Sequence, residues 1–153
     1  RSLPQAASVR DPLHAISQRR TDGSSAFDTI ALGPYVDAPE ALTRDGQRLV
    51  AYGIDPDAGT DAQLISRKDG THAALVPGKF IKSGLSLSPD GRWLVLATAP
   101  GAPGDGDILI QRIGVDSLPK PLIADPFQET GPAISPDGRS LAYSSTETGR
   151  AEV

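Results

Sequence analysis

Ser135-Pro136-Asp137-Gly138-Arg139-Ser140-Leu141-Ala142 sets how the rest of the chain is read, because its pattern stands at two earlier places. Leu87-Ser88-Pro89-Asp90-Gly91-Arg92-Trp93-Leu94-Val95 repeats it closely, and Leu42-Thr43-Arg44-Asp45-Gly46-Gln47-Arg48-Leu49-Val50 keeps its frame. The aligned aspartates fall at 45, 90 and 137, spacings of 45 and 47 residues. A second series lies half a period away. Asp22-Gly23 and Asp69-Gly70 are 47 apart, and Gly114-Val115-Asp116 occupies the matching place in the next unit. Turn signals therefore recur about every 23 residues in two alternating kinds, which marks a repeat protein.

The first kind has Ser at i, Pro at i+1 and Gly at i+3, the preferences of a type I turn. Proline pre-sets φ at the first corner, and glycine accepts the left-handed conformation that closes a three-residue hairpin with a bulge. Arg44 replaces the proline in the first copy, so that turn is expected to be less rigid.

Strand-like runs flank the turns. Arg92-Trp93-Leu94-Val95-Leu96-Ala97 and Arg139-Ser140-Leu141-Ala142-Tyr143-Ser144 carry apolar residues on both alternating faces. Burial on both faces means a sheet packed between two other layers. Asp107–Ile113 reads as a further strand, and Lys120–Ala124 as an edge strand because it contains Pro121. Pro or Gly interrupts every candidate helix.

Four short antiparallel strands per roughly 46 residues, covered on both faces, describe a blade of a β-propeller. The fold class is thus all-β, a partial propeller of four-stranded antiparallel blades. Residues 1–33 form the second half of a blade, with strands near Leu13–Gln18 and Phe27–Leu32. Residues 34–79 and 80–125 make two complete blades, and 126–153 opens another, about 3.3 blades in all. Propellers close with about four to eight. The stretch cannot close a ring alone, and its two unburied sheet faces predict that it aggregates in isolation. It reads as an excerpt of a longer protein, since it starts at Arg1, contains no Met and stops at Ala151-Glu152-Val153, where a strand begins.

Composition agrees with this reading. Gly 16 and Pro 14 supply many turns, while 38% hydrophobic and 22% charged residues suit a soluble globular chain. No apolar run approaches the ~18 residues of a spanning helix, so no membrane contact is assigned to this segment. A net charge of -4 without a basic block argues against a nucleic-acid surface. Cys 0 removes disulfides, thiolate metal sites and a cysteine nucleophile.

The Ser-Pro-Asp-Gly-Arg turns, followed by Trp93-Leu94-Val95-Leu96 and Ser140-Leu141-Ala142-Tyr143, resemble the WD-like "PD" repeat of TolB-like propellers. The Gly-His and Trp-Asp dipeptides of true WD repeats are absent. The stretches Gly106–Ile110, Pro119–Thr130 and Pro132–Val153 are similar to the last blades of propellers fused C-terminal to bacterial serine/threonine protein kinases. The resemblance covers residues 80–153 well and 10–79 loosely. It implies a propeller, commonly six-bladed, on the extracytoplasmic side of a membrane-anchored or exported parent. Related blades also occur in prolyl-oligopeptidase-type serine peptidases and in periplasmic TolB of Tol-Pal-type systems. Kinase motifs are absent from this chain, and Ser140 stands where an aromatic is common.

Chemical motifs are sparse. No Gly-x-Ser-x-Gly elbow, Gly-x-Gly-x-x-Gly loop or P-loop occurs. His14 and His72 lie in strand-like surroundings, without the spacing of a two-His metal site. Asp55-Pro56-Asp57-Ala58-Gly59-Thr60-Asp61 places carboxylates at positions 1, 3 and 7, as calcium loops do. Gly59 and Ser66 then stand where further ligands belong, and Gly104-Asp105-Gly106-Asp107 recurs one blade later, so both read as acidic inter-strand loops. Trp93 reads as inter-blade packing and Gln18-Arg19-Arg20 as a solvated strand end. No catalytic, cofactor-binding or metal residue is assigned, and no ligand-binding residue is named. The expected role is a non-catalytic module that binds a protein or small ligand through loops or a central channel. The kinase resemblance makes that module a sensor or docking part. The alternatives are the gating propeller of a peptidase and a TolB-like partner protein.

Overall fold

The structure, a computed structural model, describes residues 14–24, 26, 28–33, 38–55, 59–76, 82–99 and 106–153. These residues contain no helix, only strands and the turns between them. The strands are β1 (His14–Gln18), β2 (Asp28–Gly33), β3 (Ala38–Leu42), β4 (Arg48–Asp55), β5 (Gly59–Ser66) and β6 (His72–Val76). They continue with β7 (Lys82–Leu87), β8 (Trp93–Thr98), β9 (Ile108–Arg112), β10 (Lys120–Ile123), β11 (Glu129–Ile134) and β12 (Leu141–Ser145). All pair antiparallel with sequence neighbours. They build a two-stranded sheet β1-β2, four-stranded sheets β3-β4-β5-β6 and β7-β8-β9-β10, and a two-stranded sheet β11-β12. The Pro-containing strand β10 lies at its sheet's edge, as its sequence requires. This is a partial β-propeller.

The repeated turn owes its shape to side chains. Ser88 donates its hydroxyl hydrogen to Asp90 (2.6 Å) and accepts the Trp93 N–H (2.9 Å), while Asp90 accepts the Arg92 N–H (3.1 Å). Thr43 with Asp45 and Ser135 with Asp137 make the same three bonds. Gly46, Gly91 and Gly138 follow at φ of 65°, 70° and 73°. The expected three-residue loop is corrected to four residues, because the Ser88 N–H bonds the Trp93 carbonyl (2.8 Å). The hydroxyl and carboxylate hold N–H groups that a shorter loop would bond through the backbone. The turn lacking proline has the same bond set, and its Gly46 carbonyl also accepts from Arg67. Ser88→Ala is expected to cost about 1–2 kcal/mol, since it leaves the Trp93 N–H without its acceptor. Ser88→Thr should keep most of the stability, as Thr43 does the same task; urea unfolding of the two variants checks this.

Alternation along the central strands fills two layers. Leu94 and Leu96 on β8, with Leu85 and Leu109, meet Val50, Ala62, Leu75 and Val76 of the preceding sheet. Val95, Ala97 and Ile108, at 1% exposure or less, occupy the opposite face of the same sheet. Leu49, Ala51 and Ile65 pack back against Ile16 and Ile30 of the first sheet. Polar bonds cross between sheets as well: Gln111 Nε2 donates to the Leu75 carbonyl (2.9 Å), and the Ile134 N–H donates to Ser86 (2.9 Å).

Two expectations change. The run 139–144 is a strand from Leu141, yet its residues are half-buried or exposed, because no described sheet stacks on its far face. The inter-blade place expected of Trp93 holds, since it lines a groove between the third sheet and the next, but the ring is 38% exposed rather than enclosed. Trp93 opens β8 at the sheet's rim, its ring lies 5.9 Å from the Arg112 guanidinium, and the groove it borders, of about 270 Å³, runs against Gly138–Leu141.

Candidate binding rim

Antiparallel connection puts every Asp-Gly turn on one rim and the longer connections on the other. On the turn rim the aspartates are committed to local backbone. Asp22 and Asp69 each accept from the residue two positions on, Ser24 and Thr71, through both its N–H and its hydroxyl. Hydrogen bonds from Ser24 and Arg20 hold the Asp22 carboxyl down at about 2. Gln18-Arg19-Arg20 is indeed a solvated strand end, with Arg20 paired to Asp22 at 3.0 Å.

The loop rim gathers acids at equivalent repeat positions. Asp61 stands opposite Gly53 on β4, Asp107 opposite Thr98, and Glu152 opposite Ser145. Thr98 is fully buried, and its hydroxyl accepts the N–H groups of Gly106 and Asp107, both at 3.1 Å, fixing the approach to β9. The first residues of the inner strands β7 and β11 are equivalent too. One is Lys82 and the other Glu129, exposed by only 2% and 1%. The two junctions consequently carry opposite electrostatics. Lys82 faces the half-buried Asp61; burial pushes Lys82 down and Asp61 up, and each charge opposes the shift of the other. Glu129 faces further acids instead. Its N–H donates to the Gly106 carbonyl (2.7 Å), and its Oε2 has no partner among the described residues. Burial raises it first, then the negative charges of Asp125, Asp107 and Glu147, against a hydrogen bond from Ser145.

A carboxyl raised above its ordinary 4.5 stabilises the fold most when protonated. Stability should therefore decline as pH rises from 4.5 through the raised value. Glu129→Gln should remove that decline and gain about 1–2 kcal/mol at neutral pH. Urea midpoints at several pH values measure it, and an unchanged pH slope would contradict the assignment. Asp45, Asp90 and Asp137, held down by their Thr or Ser partners, act in the opposite sense and only below their ordinary 3.8.

Other sequence candidates lie apart from this cluster. His72 is exposed and its Nδ1 contacts Gln63 Oε1 (2.9 Å), so it pairs with an amide rather than a carboxylate. The His14 side chain, Asp57, Asp105 and the side chain of Asp55 lie outside the described residues. Of the calcium-like run only Asp61 is described with its side chain, and among the described residues no acidic or histidine group has metal-holding geometry. Sequence reading missed Lys82 and Glu129; their shared place in the repeat, 47 residues apart, was the available signal. The arrangement offers negative potential to a cationic group where Asp107, Asp125 and Glu147 gather about the buried Glu129, while Lys82 offsets Asp61 and Arg150 pairs with Glu152 at 2.6 Å.

No family model matches the chain, and no curated protein matches it in sequence. Solved structures do. TolB from Acinetobacter baumannii superposes on 90% of this chain and 33% of its own, with TM-score 0.69 and 17% identity. Putative TolB from Agrobacterium tumefaciens superposes on 87% of this chain and 50% of its own, with TM-score 0.64 and 20% identity. The chain spans a third to a half of the length of those proteins. Its fold is that of a segment of the TolB-type β-propeller.

Proposed function

We propose that these residues belong to a non-catalytic binding propeller, divided into blades near 33, 79 and 125, whose loop rim docks a positively charged protein segment or ligand. The supporting observation is the gathering of Asp107, Asp125 and Glu147 about the buried Glu129, at the place where the preceding unit has Lys82 facing Asp61. A stiff stack of sheets holds such a rim still while its loops differ. The parent is placed on the extracytoplasmic side. Similarity to TolB supports an exported partner protein, and the sequence resemblance over 80–153 supports the docking part of a serine/threonine kinase. No described helix is long and apolar enough to cross a membrane.

A labelled oligolysine peptide, followed by fluorescence anisotropy, tests the rim. Asp125→Asn with Glu147→Gln should weaken binding at least tenfold, while Asp22→Asn with Asp28→Asn, equal in charge but on the turn rim, should not. Equal losses would reduce the effect to net charge. The reading frame on either side tests the parent: a kinase domain with one spanning helix, or a signal peptide, supports the respective forms, and a hydrolase removes both.

A further inference from the structure

One place in the fold occurs twice with opposite charge. At the first occurrence Lys82, which opens β7, stands opposite Thr98 in the ladder and faces Asp61 of the preceding sheet. At the second, Glu129, which opens β11, stands opposite Ser145. Lys82 and Glu129 are 47 residues apart, as are Asp90 and Asp137 in the turns that follow them. Asp61 and Asp107 are equivalent as well, opposite Gly53 and Thr98 on the central strands β4 and β8. The first place therefore holds an acid and its cation, the second two acids.

Backbone bonds fix the second place. The Glu129 N–H docks on the Gly106 carbonyl (2.7 Å), beside Asp107. Gln128 gives its N–H to the Thr146 hydroxyl (3.0 Å) and accepts the Thr146 N–H (3.1 Å), beside Glu147. Asp125 lies four residues before Glu129. Asp125 and Glu147 are exposed, Asp107 is half-buried and Glu129 is 1% exposed, so the carboxyl groups lead from solvent inward. At the inner end the buried Glu129 Oε2 has no hydrogen-bond partner among the described residues. An orphaned oxygen of that kind costs free energy that a cation carrying N–H donors would recover.

We propose that this place receives a lysine side chain of a bound protein, its ammonium facing Glu129 and Asp107 as that of Lys82 faces Asp61. The inference rests on the reading of the loop rim as a dock for a cationic partner, and it names the group recognised. An ammonium brings three rotatable donors to oxygens converging from different strands, whereas a guanidinium needs a planar, bidentate partner. The exposed acids draw the cation inward. Burial and the charges of Asp125, Asp107 and Glu147 favour a proton on the empty Glu129, against the hydrogen bond from Ser145. Entry of the ammonium releases that proton to solvent, so lysine affinity rises with pH until Glu129 is ionised in the free chain.

Labelled oligolysine, oligoarginine and oligo-(trimethyl-lysine) of one length carry equal charge and differ in their donors. Titrated with the 153-residue chain and followed by anisotropy, oligolysine should bind about fivefold tighter than either of the others. Glu129→Gln should abolish that preference. Glu129→Lys gives the second place its own ammonium, as Lys82 does the first, and should weaken oligolysine by about tenfold or more. Asp22→Asn with Asp28→Asn, the same change of net charge on the turn rim, should leave it within about twofold. If Glu129→Lys fails to fold, the peptide preferences of the wild type and Glu129→Gln still decide. Equal binding of the three peptides, a preference for oligoarginine, or a lysine preference that survives Glu129→Gln overturns the lysine place and leaves the acidic rim standing. Failure of all three to bind removes the rim reading with it.

Discussion

Leu94→Ala is expected to destabilise the protein by about 2–5 kcal/mol. Leu94 is wholly buried in the middle of β8, between the two complete sheets. The apolar cluster it belongs to draws Val50, Ala62 and Val76 from the preceding sheet and Leu96 and Leu109 from its own. Truncation removes apolar burial and leaves a cavity whose walls are hydrogen-bonded strands on both sides. Such walls relax little, so the loss should lie in the upper part of that range. Leu118→Ala is the control, since Leu118 is 59% exposed and should cost about 0.5 kcal/mol or less. Urea unfolding of both variants makes the comparison. Equal losses would mean that the sheets do not stack face to face as described.

The stacking was legible because its cause is local. A strand with Leu94 and Leu96 on one side and Val95 and Ala97 on the other can satisfy both faces only between two layers. The turns were legible for a similar reason, since their residues sit within a few positions of the backbone groups they bond. What stayed hidden depends on distant residues. Trp93 stays 38% exposed at the turn rim, beside the Arg112 guanidinium and over the groove against Gly138–Leu141, which the apolar run around it does not encode. Glu129 looks like any acid in a polar stretch; it is buried where it pairs with Ser145 on β12 and docks its N–H on the Gly106 carbonyl of the preceding unit, the second reached only once sheets pack. The acidic rim was partly visible in the Asp-rich loops, but the exchange of Lys82 for Glu129 appears only when the inner strands are aligned with each other.

Gly84→Ala should cost about 2–4 kcal/mol, the sum of two separable causes. Gly84 interrupts β7 at φ 56°, where the ladder with β8 shifts register between Ser83 and Ser86. A side chain there suffers the left-handed penalty of about 1–2 kcal/mol. A Cβ would also stand 2.9 Å from Pro132 Cδ and 3.2 Å from Gly131 Cα, so β7 and β11 would have to separate. That separation would lengthen the Ile134–Ser86 bond and loosen the inner edge of the junction. Gly131 isolates the two causes. It holds the equivalent place in β11 with φ 60°, yet a Cβ there meets nothing within 4 Å. Gly131→Ala should therefore lose only the conformational part, about 1–2 kcal/mol. The excess for Gly84→Ala measures how tightly successive inner strands are drawn together. Urea midpoints that coincide for the two variants would show that no such close approach exists, and the inner strands would then lie apart rather than around a common axis.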